Sequence, residues 1–223
     1  MKKFSFIFVM LVVVAFAAAM ASAQGMMENA SFGVKGGLDL AKAYGDDVPD
    51  IAEWKMGAYV GAFMNYRLND MFVVQPEAFF AMRGWKFEEG DYSETWKLNY
   101  VDLDVLARLT VPMEGMVKPS VFAGPYVGFN ISADYELEEG DESAEGSLED
   151  AGINVKGVDF GFVVGGGVDF ELSNGGMIIL DIRYQMGLIN VIEAPEDDDD
   201  DDFDGEEPAV KNNTIIFMVG YGF

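Results

Sequence analysis

Lys55-Met-Gly-Ala-Tyr-Val-Gly-Ala-Phe-Met-Asn-Tyr-Arg-Leu68 decides the fold. Its even positions read Met56, Ala58, Val60, Ala62, Met64, Tyr66 and Leu68; its odd positions read Lys55, Gly57, Tyr59, Gly61, Phe63, Asn65 and Arg67. One face is wholly apolar or aromatic, and the other mixes glycine, charge and aromatic rings. Successive side chains of a strand point to opposite faces, so a period of two describes a strand between two different environments.

The same alternation recurs outward from this stretch. Phe160, Phe162, Val164, Val168, Phe170 and Leu172 oppose Asp159, Gly161, Gly165, Gly167, Asp169 and Glu171. Ile178 to Leu188 does likewise against Asp181, Arg183, Gln185 and Gly187, and Ile215 to Phe223 against Thr214, Gly220 and Gly222. Such segments lie near 31–41, 55–68, 71–87, 96–111, 118–134, 157–172, 176–190 and 211–223. Most exceed the roughly 9–11 residues that a tilted strand needs to cross a bilayer. An even number of antiparallel strands closes with both termini on one side. The expected fold is all-β: an eight-stranded antiparallel up-and-down transmembrane β-barrel.

Connection lengths alternate long and short. The short ones are Asn69-Asp70, the Pro-Met-Glu-Gly segment from Pro112, and Ser173-Asn174-Gly175, all turn chemistry. The long ones, near 42–54, 88–95, 135–156 and 191–210, hold 4, 4, 8 and 11 acidic residues, 27 of the chain's 39. Outer-membrane barrels sort short periplasmic turns from long outside loops in this way. The expectation is therefore an acidic outer crown on a nearly neutral wall.

The first residues set the compartment. Lys2 and Lys3 precede an apolar run from Phe4 to Met20, and Ala21-Ser22-Ala23 supplies small residues for cleavage. That layout predicts a secretory signal over 1–23 and a barrel domain over 24–223. Beyond the signal, 12 basic residues face 39 acidic ones. Such a chain repels nucleic acid and attracts cations. There is no Cys and no His, which excludes disulfides, thiol chemistry and the histidine-dependent catalysis of known barrel enzymes. The chain is expected not to be an enzyme and to have no cofactor beyond weakly bound Ca²⁺ or Mg²⁺.

In order along the chain, Gly33-Val-Lys-Gly-Gly37, Leu98-Asn-Tyr100, Phe122-Ala-Gly-Pro-Tyr-Val-Gly128, Phe160-Gly-Phe-Val-Val-Gly-Gly-Gly167, Leu180-Asp-Ile-Arg-Tyr-Gln-Met-Gly-Leu-Ile-Asn190 and Lys211-Asn-Asn213 form a series. Together they resemble the PorT-like outer-membrane β-barrel family of Bacteroidetes and related bacteria, over about Ser31 to Phe223. The family usually has Glu and Pro where Asp102 and Asp104 stand here. The resemblance implies an outer-membrane barrel in lipid, inserted by the barrel-assembly machinery. A few members are implicated in protein secretion or gliding, so an envelope protein partner is a second expectation.

Three sets of residues carry candidate chemistry. Parity turns Lys35, Lys55, Arg67, Arg83, Arg108 and Arg183 inward with Asp39, Glu77, Asp102, Asp104, Asp159, Asp169, Glu171 and Asp181. Because eight strands leave room only for side chains, pairing into an ion network is expected. Asp102 and Asp104 are assigned as partners of Arg83 and Arg108. Asp200, Asp202 and Asp204 before Gly205 match the start of a calcium loop, but Lys211 stands where a bidentate Glu belongs. Phe223 ends the last strand on an outward aromatic, expected to serve as the assembly signal. The leading expectation is a plugged, non-enzymatic anchor for acidic loops. Its rivals are an accessory part of a secretion or gliding apparatus, and a soluble lipocalin-like ligand binder with its apolar face inward.

Overall fold

The structure, a computed structural model, describes residues 29–223 except 50, 91, 141, 174 and 194–207. The signal segment and Asp200, Asp202 and Asp204 lie outside the described residues. The described residues form nine strands: β1 (Ala30–Tyr44), β2 (Ala52–Arg67), β3 (Phe72–Glu89), β4 (Tyr92–Thr110), β5 (Val117–Glu139), β6 (Glu142–Ser147), β7 (Val158–Glu171), β8 (Met177–Gly187) and β9 (Lys211–Gly222). All pairings are antiparallel. Eight strands close into a barrel because β4 pairs β5 while β1 pairs β9. The ninth, β6, pairs β5 outside the closed barrel.

The alternation sorts as the sequence predicts. Val34, Val60, Val164 and Val219 stand more than half exposed on the outer face, whereas Lys35 and Arg183 are 2% and 1% exposed inside. The barrel is thus polar within and apolar without, the reverse of a lipocalin. This overturns the soluble-binder expectation: an apolar girdle open to water would forfeit the burial that folds a soluble chain.

Two connections read as loops are largely sheet. Residues 88–95 are the tip of a hairpin in which β3 and β4 stay paired to Glu89↔Tyr92. Within 135–156, β5 runs on to Glu139 and turns back as β6. The reason is that alternation continues past the apolar girdle, through Trp85 and Phe87 on β3, Trp96 on β4 and Tyr135 and Leu137 on β5. Each tip turns on a glycine in the left-handed region, Gly90 (φ 63°) and Gly140 (φ 59°), which a side chain would strain. Beyond Asn99 and Ser132 the outward face becomes polar, with Lys97 paired to Glu136 at 2.5 Å and Lys86 to Glu88. The Glu88 hydrogen bond lifts Lys86 above the ordinary lysine pKa. Strands β3 to β6 therefore form an acidic blade that reaches about 25 Å past this level at ~3.3 Å per residue.

Blade pairing has a direct check. Ser93 and Glu138 are cross-strand partners in segments otherwise read as loops. In this cysteine-free chain, Ser93→Cys with Glu138→Cys is expected to oxidise to a disulfide, read by mass under non-reducing conditions. Free thiols after oxidation would mean unpaired loops.

Candidate functional site: the filled lumen

The interior is built in levels. At the short-turn end a polar cavity of about 420 Å³ is lined by Arg67, Asp70, Lys118 and Glu171 and reaches Arg108 and Asp169. Lys118 pairs Glu171 there at 2.5 Å. Above it Arg108 pairs Asp169 at 2.8 Å and Asp181 at 3.2 Å, and donates to Gln75. The next level is the densest. Lys35 bridges Glu77 (2.9 Å) and Asp181 (2.6 Å), while Arg183 bridges Glu77 (2.6 Å), Asp104 (3.4 Å) and Asp181 (3.4 Å). Higher still, Arg83 pairs Asp102, and Asp159 at 3.1 Å. Tyr59 donates to Asp102, and Tyr126 and Asn212 donate to Asp159.

Aromatic rings separate these levels. Arg83 lies between Tyr100 and Tyr126, 5.0 and 5.2 Å from their centroids. Phe122 lies between Arg108 (5.3 Å) and Arg183 (5.2 Å), and Lys35 sits over Phe63 at 4.6 Å. Guanidinium groups stack on aromatic faces and keep their edges free for carboxylates, so one cation serves two neighbours. Glycine makes the space: a Cβ on Gly165 would meet the Phe122 ring at 2.5 Å. Inward glycines thus admit the rings, as close packing requires.

Toward the other end the filling turns apolar. Tyr59, Phe79, Trp85, Leu98, Ile216 and Met218 share one cluster with Leu148, Val191 and Val210, which come from the long connections. Leu148 donates to the Ala133 carbonyl, Val191 to Val210 and Glu193 to Asn154, and Val155 bridges Ile192. These segments fold over the barrel mouth as a cap. The sequence carried a signal for it, the apolar residues Leu148, Ile153, Val155, Val191, Ile192 and Val210 inside otherwise acidic stretches.

Lys35, Glu77, Arg83, Asp102, Asp104, Arg108, Asp159, Asp169, Asp181 and Arg183 come together as their parity predicts. Five details differ. Asp104 pairs Arg183 rather than Arg108, because strand stagger brings β8 to its level. Arg67 is exposed at the short-turn mouth and forms no ion pair among the described residues, since it ends its strand. Asp39 is fully buried, yet neither carboxylate oxygen has a hydrogen-bond partner among the described residues. Lys55 donates to the Met82 and Arg83 carbonyls instead of a carboxylate. Glu171 belongs to the half-exposed mouth pair with Lys118, whose inward parity on β5 was equally readable. Phe223 is 66% exposed beside Tyr221, and its N–H donates to the Phe32 carbonyl.

Residues 22–193 match the family model for the outer membrane protein beta-barrel domain. The chain belongs to that family. Membership in the outer membrane β-barrel family places it in the bacterial outer membrane, with the apolar girdle in lipid. No curated protein matches it in sequence. Among solved structures it is similar to neisserial surface protein A (14% identity, TM-score 0.46, 86% of this chain and 97% of the other). It is also similar to Ail, the attachment invasion locus protein of Yersinia pestis (14%, 0.40, 87% and 99%). A third is the N-terminal β-barrel domain of Pseudomonas aeruginosa OprF (10%, 0.38, 86% and 97%). The assignment rests on the family match and not on these likenesses.

Breaking the densest level should unfold the barrel before breaking its rim does. Arg183→Met leaves Asp104 without a cation and Glu77 with Lys35 alone, and is expected to cost about 3–5 kcal/mol, read as a lower denaturant midpoint in detergent micelles. Arg67→Ala should stay within about 0.5 kcal/mol. Equal midpoints for the two variants would mean the network does not hold the barrel.

Proposed function

We propose that this outer-membrane barrel is a non-enzymatic anchor: its lumen is plugged, and it holds an acidic structure on the cell surface for envelope organisation or cation-dependent contact. The observation that carries this reading is the double filling of the interior, ion–aromatic levels beneath and an apolar cap above. At each charged level of the described lumen the cations engage carboxylates, which supports a structural role for these groups. The short-turn end is assigned to the periplasm and the blade and cap to the outside, in line with how barrels of this class distribute their turns. The acidic run that includes Asp200, Asp202 and Asp204 adds diffuse affinity for Ca²⁺ or Mg²⁺. Phe223 serves as the signal to the assembly machinery. The motif series resembling the PorT-like family supports membership of that branch, and with it a docking role beside other envelope proteins.

Two measurements test the anchor. In planar bilayers the purified protein is expected to give no discrete conductance steps; regular steps would mean an open pore. On intact cells a membrane-impermeant maleimide should label Ser143→Cys on the blade but not Glu114→Cys in the short turn. The reverse pattern would invert the orientation. For assembly, deleting Phe223 should reduce heat-modifiable protein in the outer membrane, and unchanged levels would remove that role.

A further inference from the structure

The blade ends in an open strand edge. In the sheet order β6 is last: it pairs β5 from Asp134↔Ser147 to Glu139↔Glu142 in unbroken register, and no described strand lies on its other side. A sheet edge presents unpaired backbone donors and acceptors, which natural proteins usually blunt with proline, lysine or a bulge. Glu142-Ser-Ala-Glu-Gly-Ser147 has no proline, lysine or bulge, and is guarded only by its shortness and by Glu142 and Glu145, whose charge a basic strand would neutralise. It is nonetheless held as a strand, since the Tyr135 side chain lies across its partner Gly146, where an added Cβ would meet the ring at 2.9 Å.

A second feature continues the edge. β7 pairs β5 only up to Phe129↔Val158, and β6 begins at Asp134↔Ser147. Between them a groove of about 590 Å³ runs along Asn130–Asp134 of β5, bounded by Ser147, Glu149, Asp150, Ile153 and Glu193. The groove, of mixed apolar and acidic character, continues the lane that β6 occupies beside β5 and opens at the Ser147 end of the β6 edge.

We propose that the β6 edge and this groove take up an extended, basic segment of a partner polypeptide as an added antiparallel or parallel strand. The inference rests on the anchor reading above, for which it names the partner's chemistry. Backbone hydrogen bonds supply the affinity of such strand addition, and side chains select the partner. Here the selecting charges are Glu142 and Glu145 on β6 and Glu136, Glu138 and Glu139 beside them, with Glu149, Asp150 and Glu193 at the groove. A second copy of this chain is a poor occupant, because edge-to-edge pairing would set those carboxylates against their own kind. Lysine or arginine at alternate positions of an extended segment projects to one face, where Glu145, Glu136 and Glu138 stand together, while Glu142 and Glu139 line the opposite face.

The test uses the full chain in detergent micelles and a fluorescent peptide of alternating Lys and Thr, with an alternating Glu-Thr peptide of equal length as control. Saturable binding of the Lys-Thr peptide alone is expected. Successive backbone N–H groups point alternately toward β5 and away from it. Of Ala144→Pro and Glu145→Pro, one therefore removes an edge donor and the other a ladder donor. The edge variant should weaken binding by about tenfold while an Asp134→Cys, Ser147→Cys crosslink still forms, so that β6 remains seated. E142Q/E145Q should weaken binding and flatten its salt dependence. Failure of wild type to bind saturably, or binding that falls only with E142Q/E145Q and ignores both prolines, overturns strand addition. These readouts are independent of conductance and surface labelling, so a fault in the anchor reading is recognised separately.

Discussion

The pairing of β4 with β5 is the interaction on which everything else depends. In hydrocarbon each unpaired backbone donor or acceptor costs several kcal/mol, so a spanning sheet has to close. This pairing closes it, from Tyr92↔Glu139 at the blade tip to Thr110↔Ser120 near the short turns. Closure then dictates the interior. Every second side chain is forced into a space too narrow for water-filled passage, and whatever stands there has to be satisfied locally.

The lumen solves that problem with geometry rather than hydrophobicity. Lys35 and Arg183 share Glu77 and Asp181, so within the level only Asp104 depends on a single partner, Arg183. Phe63, Phe79 and Phe122 fill remaining volume without adding donors, and the Tyr59 and Tyr126 hydroxyls are satisfied by Asp102 and Asp159. Among the described residues four fully buried cations, Lys35, Arg83, Arg108 and Arg183, face six buried carboxylates. Asp39 is the one left without a hydrogen bond.

The same strands serve two environments. Inside the girdle β3, β4 and β5 form the barrel wall; past Asn99 they become a blade with a polar outer face and an apolar inner face. That inner face, with Trp85, Trp96 and Tyr135, is where Leu148, Ile153 and Val155 settle. The cap and the blade are thus one unit. Past the girdle the strands stay paired where this apolar surface covers their inner face.

The eight wall strands, the sorting of charged and apolar faces, and the short turns were legible in the sequence, because alternation and turn chemistry are local properties; β6 was not. Residues 55–68 and the Asn69-Asp70 turn needed no distant partner to be read. Which cation meets which carboxylate was not legible. Lys35 and Asp181 are 146 positions apart, and only the stagger of strands around the closed barrel sets them at one height. The same stagger gives Asp104 to Arg183, leaves Asp39 alone and strands Arg67 at the rim. The cap and the open β6 edge likewise belong to tertiary structure, since acidic stretches with a few apolar residues acquire a shape only once the barrel mouth offers a surface to cover.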